Sequence, residues 1–274
     1  MSTSEDAKRA EFRRLHEQGC FVLPNPWDAG SARLLQSMGF KALASTSAGY
    51  AWSIARPDGG VALEEMLAHL RYLVAATELP VNADFEHGYA DEPDAVANNV
   101  TRAVETGVAG LSIEDSTGRK DHPLYDFELA VARVKAARAA IDRGLTGTLL
   151  TARSEGFFVG QPDLDETIRR LRAFAEAGAD CLYAPSLPDR SAVAAVVEAV
   201  KPKPVNVWVA GPGFTVRELA ALGVRRVSTG GALARAAWGG FLRAAGEILD
   251  VGAFQPFEPI APFRHLNAAF QGEK

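Results

Sequence analysis

The chain has 274 residues, 47% of them hydrophobic and 23% charged, and a net charge of −5. That length allows one large domain or two ordinary ones, and the composition is that of a folded globular chain rather than a disordered one. A sequence pI near 5.6 argues against a nucleic-acid or anionic-membrane partner, because neither is drawn to a mildly acidic surface.

The first residues, MSTSEDAKRAEFRRLHEQG, are polar and charged, which excludes a signal peptide or membrane span there and leaves a cytoplasmic enzyme as the expectation. Cys20 and Cys181 each head an apolar run, where a free cysteine acts as a small hydrophobe.

From there short apolar runs alternate with helical periodicity. The runs CFVLP, KALAST, LPVNAD, GLSIED, GTLLTAR, DCLYAP, PVNVWV and RRVSTG are nearly continuous, as in strands covered on both faces. Between them lie amphipathic stretches such as LEEMLAHLRYLVAAT, FELAVARVKAARAAIDRG and DETIRRLRAFAEAG, several of which end in glycine just before the next strand. Eight β-then-α units in order predict an α/β fold, a (β/α)8 TIM-type barrel in one domain, residues 1–274. An open doubly wound sheet is the alternative. Residues 231–274 read as an eighth helix followed by an aromatic, proline-bearing segment, more apolar surface than a free tail exposes, and so as a docking segment for another subunit.

Chemistry in such a barrel collects at the carboxyl ends of the strands. The third strand runs into Asp84-Phe85-Glu86-His87-Gly88, the fourth into Glu114-Asp115, and the fifth into Arg153-Ser154-Glu155. Strand alternation puts Asp84 and Glu86 on one side and His87 on the other, at the rim. Clustered carboxylates need a cation among them, and Mg²⁺, which takes one or two protein carboxylates and keeps several waters, suits them best. Arg153 adds a planar fork suited to a substrate carboxylate. After the second strand, Ser45-Thr46-Ser47-Ala48-Gly49 reads as a small-residue turn whose N–H groups could hold an anion. Asp58, in the turn RPDGG, is undecided between capping and function on these grounds.

Five segments, in order, carry a resemblance: STSAGYAWSIARPDGG, NADFEHGY, SIED, TAR, and PVNVWVAGPGFTVRELAALGVRRVSTGG. Together they resemble the isocitrate lyase/phosphoenolpyruvate mutase superfamily over nearly the whole chain. The resemblance implies that Asp84 is the direct Mg²⁺ ligand (Mn²⁺ being the alternative) and that Glu86, Glu114 and Asp58 hold metal-bound waters. It implies that Arg153 and the segment Ser45, Thr46 and Ser47 bind the carboxylate and oxo group of a 2-oxo acid, with Asn206 of the PVN segment also at the substrate. It further implies exchange of the eighth helix between subunits in a homodimer or homotetramer.

The loop after the fourth strand sets this chain apart. Isocitrate and methylisocitrate lyases carry a K-[KR]-C-G-H signature there, whereas this chain has Gly118-Arg119-Lys120-Asp121-His122-Pro123, with no cysteine and no asparagine. The expected activity is a Mg²⁺-dependent lyase that cleaves the bond at C3 of a small 2-oxo or 2-hydroxy dicarboxylic acid, oxaloacetate decarboxylation being the simplest case. Arg153, Lys120, His122 and Asp58 are the candidate catalytic residues. The alternatives are a phosphonopyruvate-type C–P enzyme, a weak isocitrate or methylisocitrate lyase, and a non-catalytic 2-oxo acid binding protein.

Overall fold

The structure is a computed structural model, describing residues 4–258 and 260–271. Eight parallel strands form one sheet in the order β1-β8-β7-β6-β5-β4-β3-β2. They are β1 (Phe21–Leu23), β2 (Leu43–Ala44), β3 (Val81–Asp84), β4 (Gly110–Glu114), β5 (Leu149–Arg153), β6 (Cys181–Tyr183), β7 (Val205–Trp208) and β8 (Arg226–Ser228). Pairing of β1 with β8 excludes the open doubly wound alternative. At the β1/β2 seam the Ala44 N–H donates to Pro24 O at 3.0 Å, so the sheet curls into a (β/α)8 barrel.

The crossover helices fall where the periodicity puts them: α2 (Ala29–Ser37), α4 (Leu63–Ala76), α5 (Pro93–Val104), α6 (Phe127–Gly144), α7 (Leu164–Glu176), α8 (Arg190–Val200), α9 (Val216–Ala221) and α10 (Ala232–Val251). Their apolar stripes face the outside of the sheet. Met66, Leu67, Leu70 and Leu73 of α4, for example, are fully buried in the main core. Cys181 is buried and Cys20 partly buried, both as free thiols.

Three α-helices among the described residues lie outside the eight units. The charged N-terminal segment forms α1 (Ser4–Glu17), which closes the amino-terminal floor of the barrel. Its Phe12 is wholly buried in a small cluster with Leu23, Ala42, Ala44, Ala109 and Leu149. Arg9 donates to Val104 O and Val108 O, both at 3.2 Å, satisfying carbonyls at the end of α5 and just before β4. Gly110 is required here, since a Cβ would lie 2.6 Å from the Phe12 ring and 2.8 Å from Asn82 Oδ1. The predicted small-residue turn at 45–49 is instead the start of α3 (Ser47–Ser53), with Thr46 as its N-cap. Past the barrel, α11 (Phe263–Gln271) returns to α2, where Arg33 donates to Phe270 O at 3.3 Å.

Helix α10 differs from the other barrel helices in what it hides. Of its residues only Ala234 is buried, while Phe241, Leu242 and Leu249 stand more than half exposed. No helix among the described residues is long and apolar enough to cross a membrane.

Candidate active site

The carboxyl-terminal mouth of the barrel opens into a cavity of about 530 Å³ lined by residues from nearly every strand end. Arg153 stands at its centre because β5 places it beside Glu114 of β4 and Tyr183 of β6 in register. Its Nη1 bonds Asp84 Oδ1 at 2.8 Å and lies 3.2 Å from Glu114 Oε2, and its Nε bonds Glu155 Oε1 at 2.8 Å. The guanidinium carbon lies 4.9 Å from the centre of the Tyr183 ring. Burial pulls the guanidinium toward losing its proton, but Glu155, Glu114 and Asp84 outweigh it and hold Arg153 firmly charged. Nη2 makes no hydrogen bond among the described residues.

Asp84 is held by three donors. Besides Arg153, the Ser47 N–H and hydroxyl each donate to Oδ2 at 3.0 Å, so the first turn of α3 grips the carboxylate. Ser45 accepts from the Asp84 N–H at 2.8 Å, locking the ends of β2 and β3 together. Of the three small residues proposed to bind substrate, all line the cavity, but only Ser47 presents both donors to the carboxylate cluster. Ser45 N–H is spent in the ladder on Asn82 O, and Thr46 Oγ1 caps Gly49.

Glu86 reaches the cavity by a route that differs from strand alternation. β3 stops at Asp84, and Glu86 sits in the following turn at φ +45°. Tyr89 donates its hydroxyl to Glu86 at 3.0 Å, and burial, reinforced by the Asp84 charge, still pushes the Glu86 carboxyl up to about 7. The same turn brings His87 onto the cavity lining as well. Glu114 is raised well above the usual carboxylate range by burial, which the nearby Arg153 opposes without cancelling. Asp58 enters from the loop between α3 and α4, with the Gly59 N–H donating to it at 3.1 Å.

Glu155 and Asp115 divide the labour differently from their sequence positions. Glu155, only 1% exposed, completes the clamp on Arg153 although it lies beyond the strand. Asp115 turns away from the cavity: it accepts the Glu155 N–H at 2.7 Å and pairs with Arg170 of α7 at 3.1 Å, fixing the loop that carries Glu155. Asn206 lines the floor, occupied by Arg226 at 2.8 Å and by Ser228 at 2.9 Å. Arg226 is itself buried, bonded to Asn206, Thr151 and His16 with no carboxylate partner among the described residues. Asn25, unremarked in sequence, ties three strand ends by donating to Ser45 O and accepting from Thr229 and Gly230 N–H.

The 118–122 loop is a closed excursion. Ser116 bridges Leu124, and the Thr117 N–H donates to Pro123 O at 2.9 Å. Arg119 lies on the cavity rim, paired with Asp91 at 2.9 Å. Lys120 and His122 are exposed and are not brought to the cavity; His122 faces Asp126 at 3.9 Å on the other side of the loop.

Five acids, Asp58, Asp84, Glu86, Glu114 and Glu155, thus line the cavity with one arginine at their centre. The surplus negative charge, and the raised Glu86 and Glu114, mark a site that asks for a cation. No three His, Cys, Asp or Glu side chains among the described residues form a ready cage. A hard ion held directly by one carboxylate such as Asp84, with others reached through water, fits that donor set.

The relatives of this barrel are lyases and mutases, which makes the chain an enzyme of the lyase/mutase class. The family model for phosphoenolpyruvate phosphomutase matches residues 12–249, and the chain belongs to that family, within the isocitrate lyase/phosphoenolpyruvate mutase superfamily. A Burkholderia cenocepacia J2315 protein, provisionally described as a lyase/mutase, superposes with a TM-score of 0.96 at 48% identity over 98% of both chains. Oxaloacetate acetylhydrolase, in complex with oxalate, superposes at 0.84 with 27% identity over 97% of this chain and 94% of its own. An oxaloacetate decarboxylase of Pseudomonas aeruginosa is 31% identical over 232 residues, 81% of this chain and 78% of its own.

Proposed function

We propose that this enzyme is a divalent-cation-dependent lyase that breaks the bond at C3 of a small 2-oxo dicarboxylic acid, with decarboxylation of oxaloacetate to pyruvate as its simplest reaction. The observation that carries this reading is an asymmetry of the cavity. The end that receives negative charge is fully furnished, whereas the candidate acid-base residues Lys120 and His122 lie outside it. Decarboxylation suits such a site because it needs no proton removed at the start.

The C3–C4 electron pair moves toward the 2-oxo oxygen, CO₂ leaves, and C3 then takes up one proton. A bound Mg²⁺ or Mn²⁺, with Asp84 as direct ligand and Glu86, Glu114 and Asp58 around it, would supply Lewis-acid stabilisation of the charge arising at that oxygen. Arg153 offers Nη2 to the substrate's C1 carboxylate, and its three carboxylates keep the fork from swinging as charge develops. Ser47 and Asn206 line the same pocket and orient the acid. The names of the oxaloacetate decarboxylase and acetylhydrolase relatives support this substrate class.

The test is Mg²⁺-dependent release of 2-oxo acid from a panel of four- to six-carbon 2-oxo and 2-hydroxy diacids. Turnover of none of them sinks the proposal. Phosphate release from phosphonopyruvate would replace it with C–P chemistry.

For assembly, the exposed apolar face of α10 supports docking on a second copy of the chain as a homodimer or homotetramer. Light scattering of Phe241→Asp/Leu249→Asp protein, monomeric where the wild type is not, checks it.

A further inference from the structure

The cavity has a second wall that the reaction of oxaloacetate does not use. Phe158, on the loop after β5, is 54% exposed, and its ring meets that of Trp208 at the end of β7 edge-on, 6.0 Å between centroids and 78° between planes. Both line the cavity, with Pro185 and Tyr183 beside them. Trp208 is fixed in place: its indole N–H donates to Thr229 O at 3.1 Å. The ring also lies against Gly230, where a Cβ would sit 2.7 Å from the indole nitrogen.

The cations of the cavity are engaged elsewhere. Arg153 is clamped by three acids and gives its remaining Nη2 to the C1 carboxylate in the lyase reading, Arg119 is paired with Asp91, and Arg226 is buried in the floor against Asn206, Thr151 and His16. An ionised carboxylate pressed on this aromatic wall would lose its hydration and find no positive partner, whereas an alkyl or aryl group would lose nothing by being there. At about 530 Å³ the cavity also lies within the range of pockets that take molecules far larger than a four-carbon diacid.

Building on the lyase reading above, we propose that Phe158 and Trp208 are specificity-determining residues that receive an apolar substituent on the substrate's C3. The preferred substrates are then 3-alkyl or 3-aryl 2-oxo diacids rather than oxaloacetate. Decarboxylation of 3-methyloxaloacetate, for example, consumes one proton and yields 2-oxobutanoate and CO₂.

The experiment measures kcat/KM with Mg²⁺ for oxaloacetate and its 3-methyl, 3-propyl and 3-phenyl derivatives. Wild-type protein is expected to favour the substituted acids by on the order of tenfold or more, the discrimination an apolar pocket gives for added carbon. Phe158→Ser and Trp208→Ser should each lower the ratio of substituted to unsubstituted kcat/KM about tenfold; because Phe158 stands on an exposed loop, its variant decides should Trp208→Ser fail to fold. A wild-type ratio of one or below, or a ratio unchanged in Phe158→Ser, overturns the proposal. If no acid turns over, the lyase reading fails, and calorimetric titration of the same acids with Mg²⁺ still decides the preference: tighter binding of the 3-substituted acids upholds it and equal or weaker binding overturns it.

Discussion

Replacing Glu86 with glutamine removes one titrating group from the cation site at little change in volume. In cation-free protein burial and Asp84 hold the Glu86 carboxyl at about 7, against its ordinary value of 4.5. The folded state therefore binds the proton more tightly than the unfolded chain, and the stability Glu86 contributes is present below about 4.5 and lost as the pH rises through about 7. Over the interval from about pH 5.5 to about pH 8 that loss comes to about 2 kcal/mol.

Melting curves of wild-type protein alone cannot isolate it. His16 and His69 are lowered by burial to about 3 and about 4, so they add stability as the pH rises through their ordinary value of 6.5. Comparison with Glu86→Gln cancels the histidines. In EDTA the variant should gain about 2 kcal/mol on the wild type between the two pH values, or roughly 4–8 °C in Tm. Saturating Mg²⁺ at the higher pH should reverse the order, since a hundredfold excess over Kd is worth about 2.7 kcal/mol to a protein with its full donor set. Parallel stability-pH curves for the two proteins in EDTA would refute the assignment.

Arg153→Met leaves Asp84, Glu114 and Glu155 without their shared cation, and should cost about 3–5 kcal/mol in urea unfolding at neutral pH as well as abolish turnover. Lys120→Ala and His122→Ala should each change kcat/KM less than tenfold; a loss of a hundredfold or more would mean that the loop folds in and delivers a proton. Phe12→Ala should lower stability by about 3–5 kcal/mol because the ring plugs the barrel floor, and a cost under about 0.5 kcal/mol would show that α1 merely rides on the surface.

The barrel was legible because its strands, covered on both faces, announce themselves as apolar runs whose last residues are ionisable. Asp84, Glu114 and Arg153 stand where those runs end. What escaped the pattern was set by geometry beyond the strand. Alternation carries β3 only to Asp84, so Glu86 owes its direction to a turn with positive φ. Glu114 and Asp115 are adjacent in sequence and face opposite ways, one toward Arg153 and one toward Arg170. The floor helix α1 was hidden by its own charge, with Phe12 one of few apolar residues in a polar segment. Lys120 and His122 have the right chemistry, but a loop's path carries no periodic signal that tells which side chains turn inward. Phe158 and Trp208 read as ordinary apolar residues until the fold set them across one cavity.

The floor and the β1/β8 seam also bear on the order in which this chain assembles. β1 makes its ladder with β8, and His16 of α1 meets Arg226 across 210 positions of sequence. During synthesis α1 and β1 leave the ribosome well before β8, so the β1 ladder and the His16–Arg226 contact cannot form until the strand that completes them is made. Contacts of such separation slow closure of the ring. The β1/β8 seam thus closes only after the last strand is made, and a nascent chain stalled short of β8 would leave that edge of β1 unpaired.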